Sequence, residues 1–174
     1  MRLIESKTLG TAQASVQFTN IPQDGTDLLI LCSVRGASAS TVDALLMSIN
    51  GDNSQSNGSS RWLQGTGSGV GSSTGSFAAG GITNADTSTS NTFGNASIYI
   101  TNYTSTSAKS ISQDYVTENN ATQAFQRITA SLSSATAAIT SLSFDLAGPN
   151  LLAGTIISLY KITKGSDGIV TTSP

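Results

Sequence analysis

The chain has no histidine, one cysteine (Cys32), three prolines and about one charged residue in ten, against about a quarter in ordinary globular chains. Without histidine, a serine nucleophile lacks its usual base and a metal its commonest nitrogen ligand. A single cysteine makes neither an internal disulfide nor a thiolate cluster, and Cys32, set in an apolar run, reads as an inert core thiol. That run, Leu28–Cys32, falls far short of the ~20 residues that span a bilayer. Eight Lys and Arg against ten Asp and Glu leave a net charge of −2. No basic stripe offers a footprint for nucleic acid or an anionic membrane. The opening Met1-Arg2-Leu3-Ile4-Glu5 enters strand-like sequence with no apolar leader, so synthesis in a cytosol is expected. A chain poor in reactive residues is better suited to being a shape than to running a reaction.

Serine and threonine supply about three residues in ten, and the apolar fraction is 37%. That fraction is too high for a disordered chain, and 174 residues are enough for one domain with a core of its own. Period-2 alternation dominates and the helical period is nearly absent. Ala14, Val16 and Phe18 alternate with Ser15 and Gln17 before the turn Ile21–Gly25. Leu28 to Val34 is almost continuously apolar, as in a central strand covered on both faces. Leu45, Met47 and Ile49 form an inward row that stops at Asn50-Gly51, a hairpin-type turn signal because both residues tolerate positive φ.

From Asp52 to Thr92 the large apolar anchors thin to Trp62, Leu63, Val70, Phe77 and Ile82. Short strands are expected near Arg61–Gln64 and Phe77–Ile82, joined by a long exposed loop at Gly65–Gly75, the natural place for contacts outside the domain. Alternation returns in Ala96, Ile98 and Ile100, with Tyr99 on the other face. It continues through Lys109–Val116, then Ile128, Ala130 and Leu132, then Leu142, Phe144 and Leu146, and ends in Thr155–Ile162. Glu118–Thr122 and Gly148-Pro149-Asn150 read as turns. Ala121–Arg127 and Ser131–Ala138 carry at most a helical turn.

The expectation is an all-β, antiparallel sandwich of about eight to ten strands. It comprises one domain over residues 1–163, a long Gly/Ser-rich loop region and a polar tail over 164–174 that peels away.

No constellation carries chemistry, and no catalytic, cofactor-binding or metal-binding residue is assigned. The acidic residues (Glu5, Asp24, Asp27, Asp43, Asp52, Asp86, Asp114, Glu118, Asp145 and Asp167) are scattered over turns and strand ends; Asp114 and Glu118 flank one turn. Asn50-Gly51-Asp52-Asn53-Ser54 offers hard oxygen ligands but lacks the spacing and closing glutamate of an EF-hand. Gly65-Thr66-Gly67-Ser68-Gly69 has no following Lys-Ser/Thr to make a phosphate cradle. Trp62, Tyr99, Tyr103, Tyr115 and Tyr160 are aromatics that serve either a carbohydrate-binding face or ordinary packing. The N-x-[ST] triplets at Asn57, Asn95, Asn102 and Asn120 are what this Ser/Thr content yields by chance.

Several segments carry a resemblance: Phe18-Thr19-Asn20-Ile21-Pro22 with Thr26-Asp27-Leu28-Leu29 and Cys32-Ser33-Val34-Arg35; Ile49-Asn50-Gly51-Asp52; and Asn91–Ile100 through Asn102-Tyr103. To these add Val116–Thr122, Thr136–Leu142 and Ile157–Ile162. Together they resemble a family of virion structural proteins of tailed bacteriophages, common among marine and cyanobacterial phages. In those relatives an aromatic residue closely follows the Asn-Gly-Asp turn and glycine often stands where Lys161 is; here the nearest aromatic is Trp62. The resemblance implies a jelly-roll-like β-sandwich that catalyses nothing, made in the bacterial host cytoplasm and resident in the virion. An accessory capsid (decoration or cement) protein is the favoured role, bound to the major capsid protein or other virion proteins and to itself, with a trimer favoured. A tail, neck or fibre-base protein is the alternative, followed by a carbohydrate-binding module. A depolymerase with paired carboxylates comes last.

Overall fold

The computed structural model describes residues 1–52, 57–76, 81–119 and 124–165, in which every regular element is a β-strand. Eight strands form one antiparallel sheet: β1 (Arg2–Thr8), β3 (Asp27–Val34), β6 (Gly58–Gly65), β7 (Val70–Ser76), β9 (Gly94–Ile100), β10 (Lys109–Val116), β11 (Gln126–Ser133) and β13 (Ile156–Ile162), in the order β1-β13-β3-β9-β10-β11-β6-β7. A second antiparallel sheet holds β2 (Ser15–Phe18), β12 (Leu142–Leu146) and β5 (Leu45–Ile49). The two-residue strands β4 (Val42–Asp43) and β8 (Thr83–Asn84) pair beside them. The expected antiparallel sandwich is what forms, with its strands divided very unequally between the layers.

The core follows from the alternation. Leu28, Ile30, Cys32 and Val34 of β3, Ala96, Ile98 and Ile100 of β9, Ile111 and Tyr115 of β10, and Ile157 and Leu159 of β13 point inward. Val16 and Phe18, Leu45, Met47 and Ile49, and Leu142, Phe144 and Leu146 meet them from the small sheet, where Phe18 and Phe144 stack edge to face at 6.3 Å. At about 25 cal/mol per Å² of apolar surface, these rows supply most of the driving force for folding.

Several expectations are corrected. β3 is internal to its sheet but covered on one face only, since Leu31 is 40% exposed on the other. The region expected as a loop over Gly65–Gly75 is mostly strand. β6 and β7 form a hairpin closed by Thr66–Gly69, where Thr66 N donates to Gly69 O at 2.9 Å and Gly67 takes a φ of 82°. Asn50-Gly51 forms the expected turn, with positive φ of 53° and 76° and Asp52 N donating to Ile49 O at 2.9 Å, but pairing across it is the single Ile49–Asp52 bridge: β5 pairs with β12, and the next strand, β6, belongs to the other sheet. Ser131–Ser133 is strand, and no helix forms over Ser131–Ala138, within the expectation of at most a helical turn. Ile82 precedes β8 rather than lying in a strand. Lys164, expected in the departing tail, is held by an ion pair to Asp27 at 3.1 Å. Residues 53–56, 77–80, 120–123 and 166–174 lie outside the described residues. So do Asn53-Ser54, the Phe77 end of one expected strand, the 120–122 part of the turn and most of the tail.

Candidate functional site

The largest departure from the expected pattern lies in β11. Ile128 is 53% and Leu132 45% exposed, whereas Thr129, Ser131 and Ser133 are buried. Alternation fixes which residues share a face of a strand, not which way that face looks. At this end of the sheet the inner side is lined with hydroxyls and amides that bond one another: Gln113 Nε2 donates to Ser131 Oγ at 2.7 Å, and Ser60 Oγ to Ser76 O at 2.9 Å. No side chain of β6, β7 or β11 belongs to the hydrophobic core cluster. The apolar row of β11 therefore looks outward.

Register extends the point across the whole sheet. One row of the outer face reads Ser158, Leu31, Ser97, Asp114, Ile128, Leu63 and Ser72 from β13 to β7. The rows beside it carry Leu3, Tyr160, Leu29 and Tyr99 on one side, and Ile156, Val116 and Val70 on the other. Every exposed large hydrophobic residue of the described chain except Met1 lies on this one face. Leu63 is 58% exposed and Val70 94%. Over β10, β11, β6 and β7 the face is hollowed. A depression of about 910 Å³, flanked by Arg61 and Asp114 and floored by Leu63, Ile128 and Ala130, adjoins one of about 800 Å³ reaching Val70 and Gln126. Exposed apolar surface gathered on one face is where contacts with other molecules usually form.

The residues singled out from the sequence are dispersed. Cys32 is buried, and burial pushes its thiol up to about 12, which keeps it protonated. Trp62 lies on the inner side of β6, with the Arg127 guanidinium 4.3 Å over its ring. Tyr103 and Tyr115 are fully buried; Tyr103 donates to Pro22 O and Tyr115 to Gln113 Oε1. Tyr99 and Tyr160 are half-buried on the outer face. Asp114 and Glu118 line different hollows. Asp52 accepts from Asn57, Asp24 pairs with Lys161 at 2.5 Å and Glu5 with Lys7 at 3.3 Å. Among the described residues no three His, Cys, Asp or Glu side chains converge as metal ligands.

Three charged side chains hold the framework. Arg35, 7% exposed, donates to the carbonyls of Thr89, Thr92, Asp86 and Ser88 at 2.8–3.1 Å. Its planar fork ties the 86–92 loop to the end of β3. Lys109, 1% exposed, donates to the carbonyls of Ser105, Ser107 and Ala137, and burial lowers its pKa. Asp27, fully buried, accepts from Tyr99 Oη and from Asn102 N. None of these was visible as a structural clamp in the sequence, because an isolated charge beside a strand carries no pattern.

No protein-family model matches the chain, and no curated protein sequence matches it significantly. No helix among the described residues is long and apolar enough to cross a membrane.

Proposed function

We propose that the chain is a virion structural protein of a tailed bacteriophage, an accessory capsid protein of the decoration or cement kind that stabilises the shell and catalyses nothing. The observation that carries this reading is the outer sheet face, whose exposed large apolar side chains lie on seven of the eight strands and are left uncovered by the described chain. A protein whose work is to cover other protein surface requires a broad rigid face, and hydrogen-bonded strands supply one at little cost in ordering on docking. The segment resemblance supports reading that face as part of a particle. There, many copies each burying apolar area against a neighbour would resist expansion of the shell.

The chemistry of the hollows favours protein over sugar. They present aliphatic side chains, while Trp62 is engaged by Arg127 from the inner side and two of the tyrosines are buried. A saccharide site needs exposed aromatic planes. Of the residues lining the larger hollow, Asp114 is the carboxylate, and a glycosidase requires two across one cleft.

Cryo-electron microscopy of intact particles, with copy number from quantitative mass spectrometry, tests the assignment. Density for this sandwich in hundreds of copies over the shell is the expected outcome. A few copies at one vertex would move the protein to the neck, tail or fibre base, and absence from the particle would overturn the reading.

A further inference from the structure

Over β10, β11, β6 and β7 the outer face carries one cation and one anion among its strand residues, Arg61 and Asp114, both exposed. Their placement is specific. Asp114 lies on β10 beside Ile128 of β11, and Arg61 lies on β6 beside Ala130 of β11. The two charges therefore flank β11 on opposite sides, one row apart, with Ile128 and Ala130 of β11 between them and Leu63 of β6 adjacent to Ile128. Adjacent strands stand about 4.8 Å apart and successive residues on one face about 7 Å apart. Apart from these charges and the Gln126 amide, the side chains of the patch are aliphatic or hydroxylic.

We propose that the occupant of this face is a second copy of the same chain, docked face to face about a two-fold axis that lies in the interface plane and passes through β11. Such an axis carries Arg61 of one copy to the β10 side of the other, over Asp114, and does so twice. A two-fold interface must be self-complementary in this way, each residue of a pair meeting its counterpart's partner. The same operation sets the Leu63 and Ile128 pair against its own copy, burying the most exposed apolar side chains of the sheet interior. Facing sheets stand about 10 Å apart, a gap that an arginine and an aspartate reaching toward each other span. A membrane or a polyanion would select for one sign of charge; this patch has one of each.

This inference rests on the reading of the face as a protein-docking surface and names its partner. Its test is separate from the particle assignment. Sedimentation equilibrium of the purified full chain over a wide concentration range is expected to give a monomer–dimer equilibrium. Arg61→Asp and Asp114→Arg, each made alone, are expected to weaken dimerisation about tenfold or more. The double variant is expected to restore it to within about threefold of the original chain. Leu63→Cys, near the axis, is expected to be cross-linked to its counterpart by a short bis-maleimide, whose reach matches facing sheets about 10 Å apart, with Cys32 buried and unreactive. Circular dichroism of each variant confirms the fold, and the cysteine variant provides an independent arm. A chain that stays monomeric, forms trimers, or dimerises with indifference to both charge reversals overturns the inference, as does a double variant that stays as weak as the singles. If this fails while particles carry the protein over the shell, the face meets a shell protein and the assignment stands. A dimer formed by a protein absent from particles gives the converse.

Discussion

Tyr99 Oη donates a 2.6 Å hydrogen bond to Oδ2 of Asp27, a carboxylate with no exposed surface that also accepts from Asn102 N at 2.9 Å and pairs with Lys164 Nζ at 3.1 Å. The cluster ties β3, β9, the turn after β9 and the chain beyond β13 at one corner of the large sheet.

Burial pushes the Asp27 carboxyl up, but the Tyr99, Asn102 and Lys164 donors outweigh it, so its pKa lies below the ordinary value. A depressed carboxylate contributes stability above its unfolded pKa of about 4 and loses it as pH falls through the folded value. For Tyr99, the bond to Asp27 and then burial raise the phenol to about 12. Its contribution is complete below the unfolded value of about 10 and is lost as pH rises toward about 12. Tyr99→Phe should cost about 2 kcal/mol at neutral pH, as expected for a bond to a charged acceptor. It should move the acid unfolding midpoint to higher pH and abolish the alkaline loss this pair causes. Urea titrations from pH 2 to 11 read all three effects. An unchanged acid limb would show that Tyr99 is not what holds the Asp27 carboxyl down.

Arg35 joins one guanidinium to four backbone carbonyls of a loop with no other large anchor. Arg35→Lys keeps the charge but presents a single ammonium where two nitrogens are needed. We expect a loss of about 2–3 kcal/mol in denaturant unfolding. Amide exchange should speed up first at Ser88 and Thr92, whose amides bond back within the loop. A lysine variant as stable as the original would mean that the loop is held by its own turns.

The inner rows were legible in the sequence wherever aliphatic residues alternate, as in Ala96, Ile98 and Ile100 or Leu142, Phe144 and Leu146. These rows meet a second sheet, and burial demands the pattern. β7 was not legible, because Val70-Gly71-Ser72-Ser73-Thr74-Gly75-Ser76 is an edge strand with no apolar alternation, whose pairing with β6 rests chiefly on backbone hydrogen bonds. The outer face was missed for a different reason. Ile128, Ala130 and Leu132 obey the same period as a core strand, and only their register against β6 and β10 shows that they look away from the small sheet. In Leu28–Val34 the nearly continuous apolar run reflected two different positions: core burial for alternate residues and the outer face for Leu29 and Leu31.

That inversion makes its own prediction. Ile128→Thr and Leu132→Thr should leave folding stability within about 0.5 kcal/mol, as substitutions at exposed positions do. Ile111→Ala, on the inner row of the neighbouring strand and 2% exposed, should cost about 2–5 kcal/mol. Thermal denaturation at low protein concentration, where association does not contribute, makes the comparison clean. Equal losses in the three variants would put the β11 row back in the core.

Asn50 supplies the last case, a turn residue with both a left-handed backbone and a bonded side chain. Its φ of 53° is a left-handed conformation that asparagine tolerates better than most residues. Its Oδ1 accepts from Thr140 N at 2.8 Å and Ser141 N at 3.1 Å, while Nδ2 donates to Ala138 O at 2.8 Å. The side chain thus bridges the end of β5 to the segment entering β12, its own sheet partner. Asn50→Gly relieves the backbone but removes these bonds and the one Oδ1 accepts from Thr140 Oγ1 at 3.2 Å, and Asn50→Asp keeps the acceptor but loses the donor. If the side chain governs, the glycine variant should lose about 2 kcal/mol in urea unfolding, with the aspartate variant in between. If backbone strain governs, glycine should be neutral or stabilising and aspartate the worse of the two. The order of the two variants decides between these accounts.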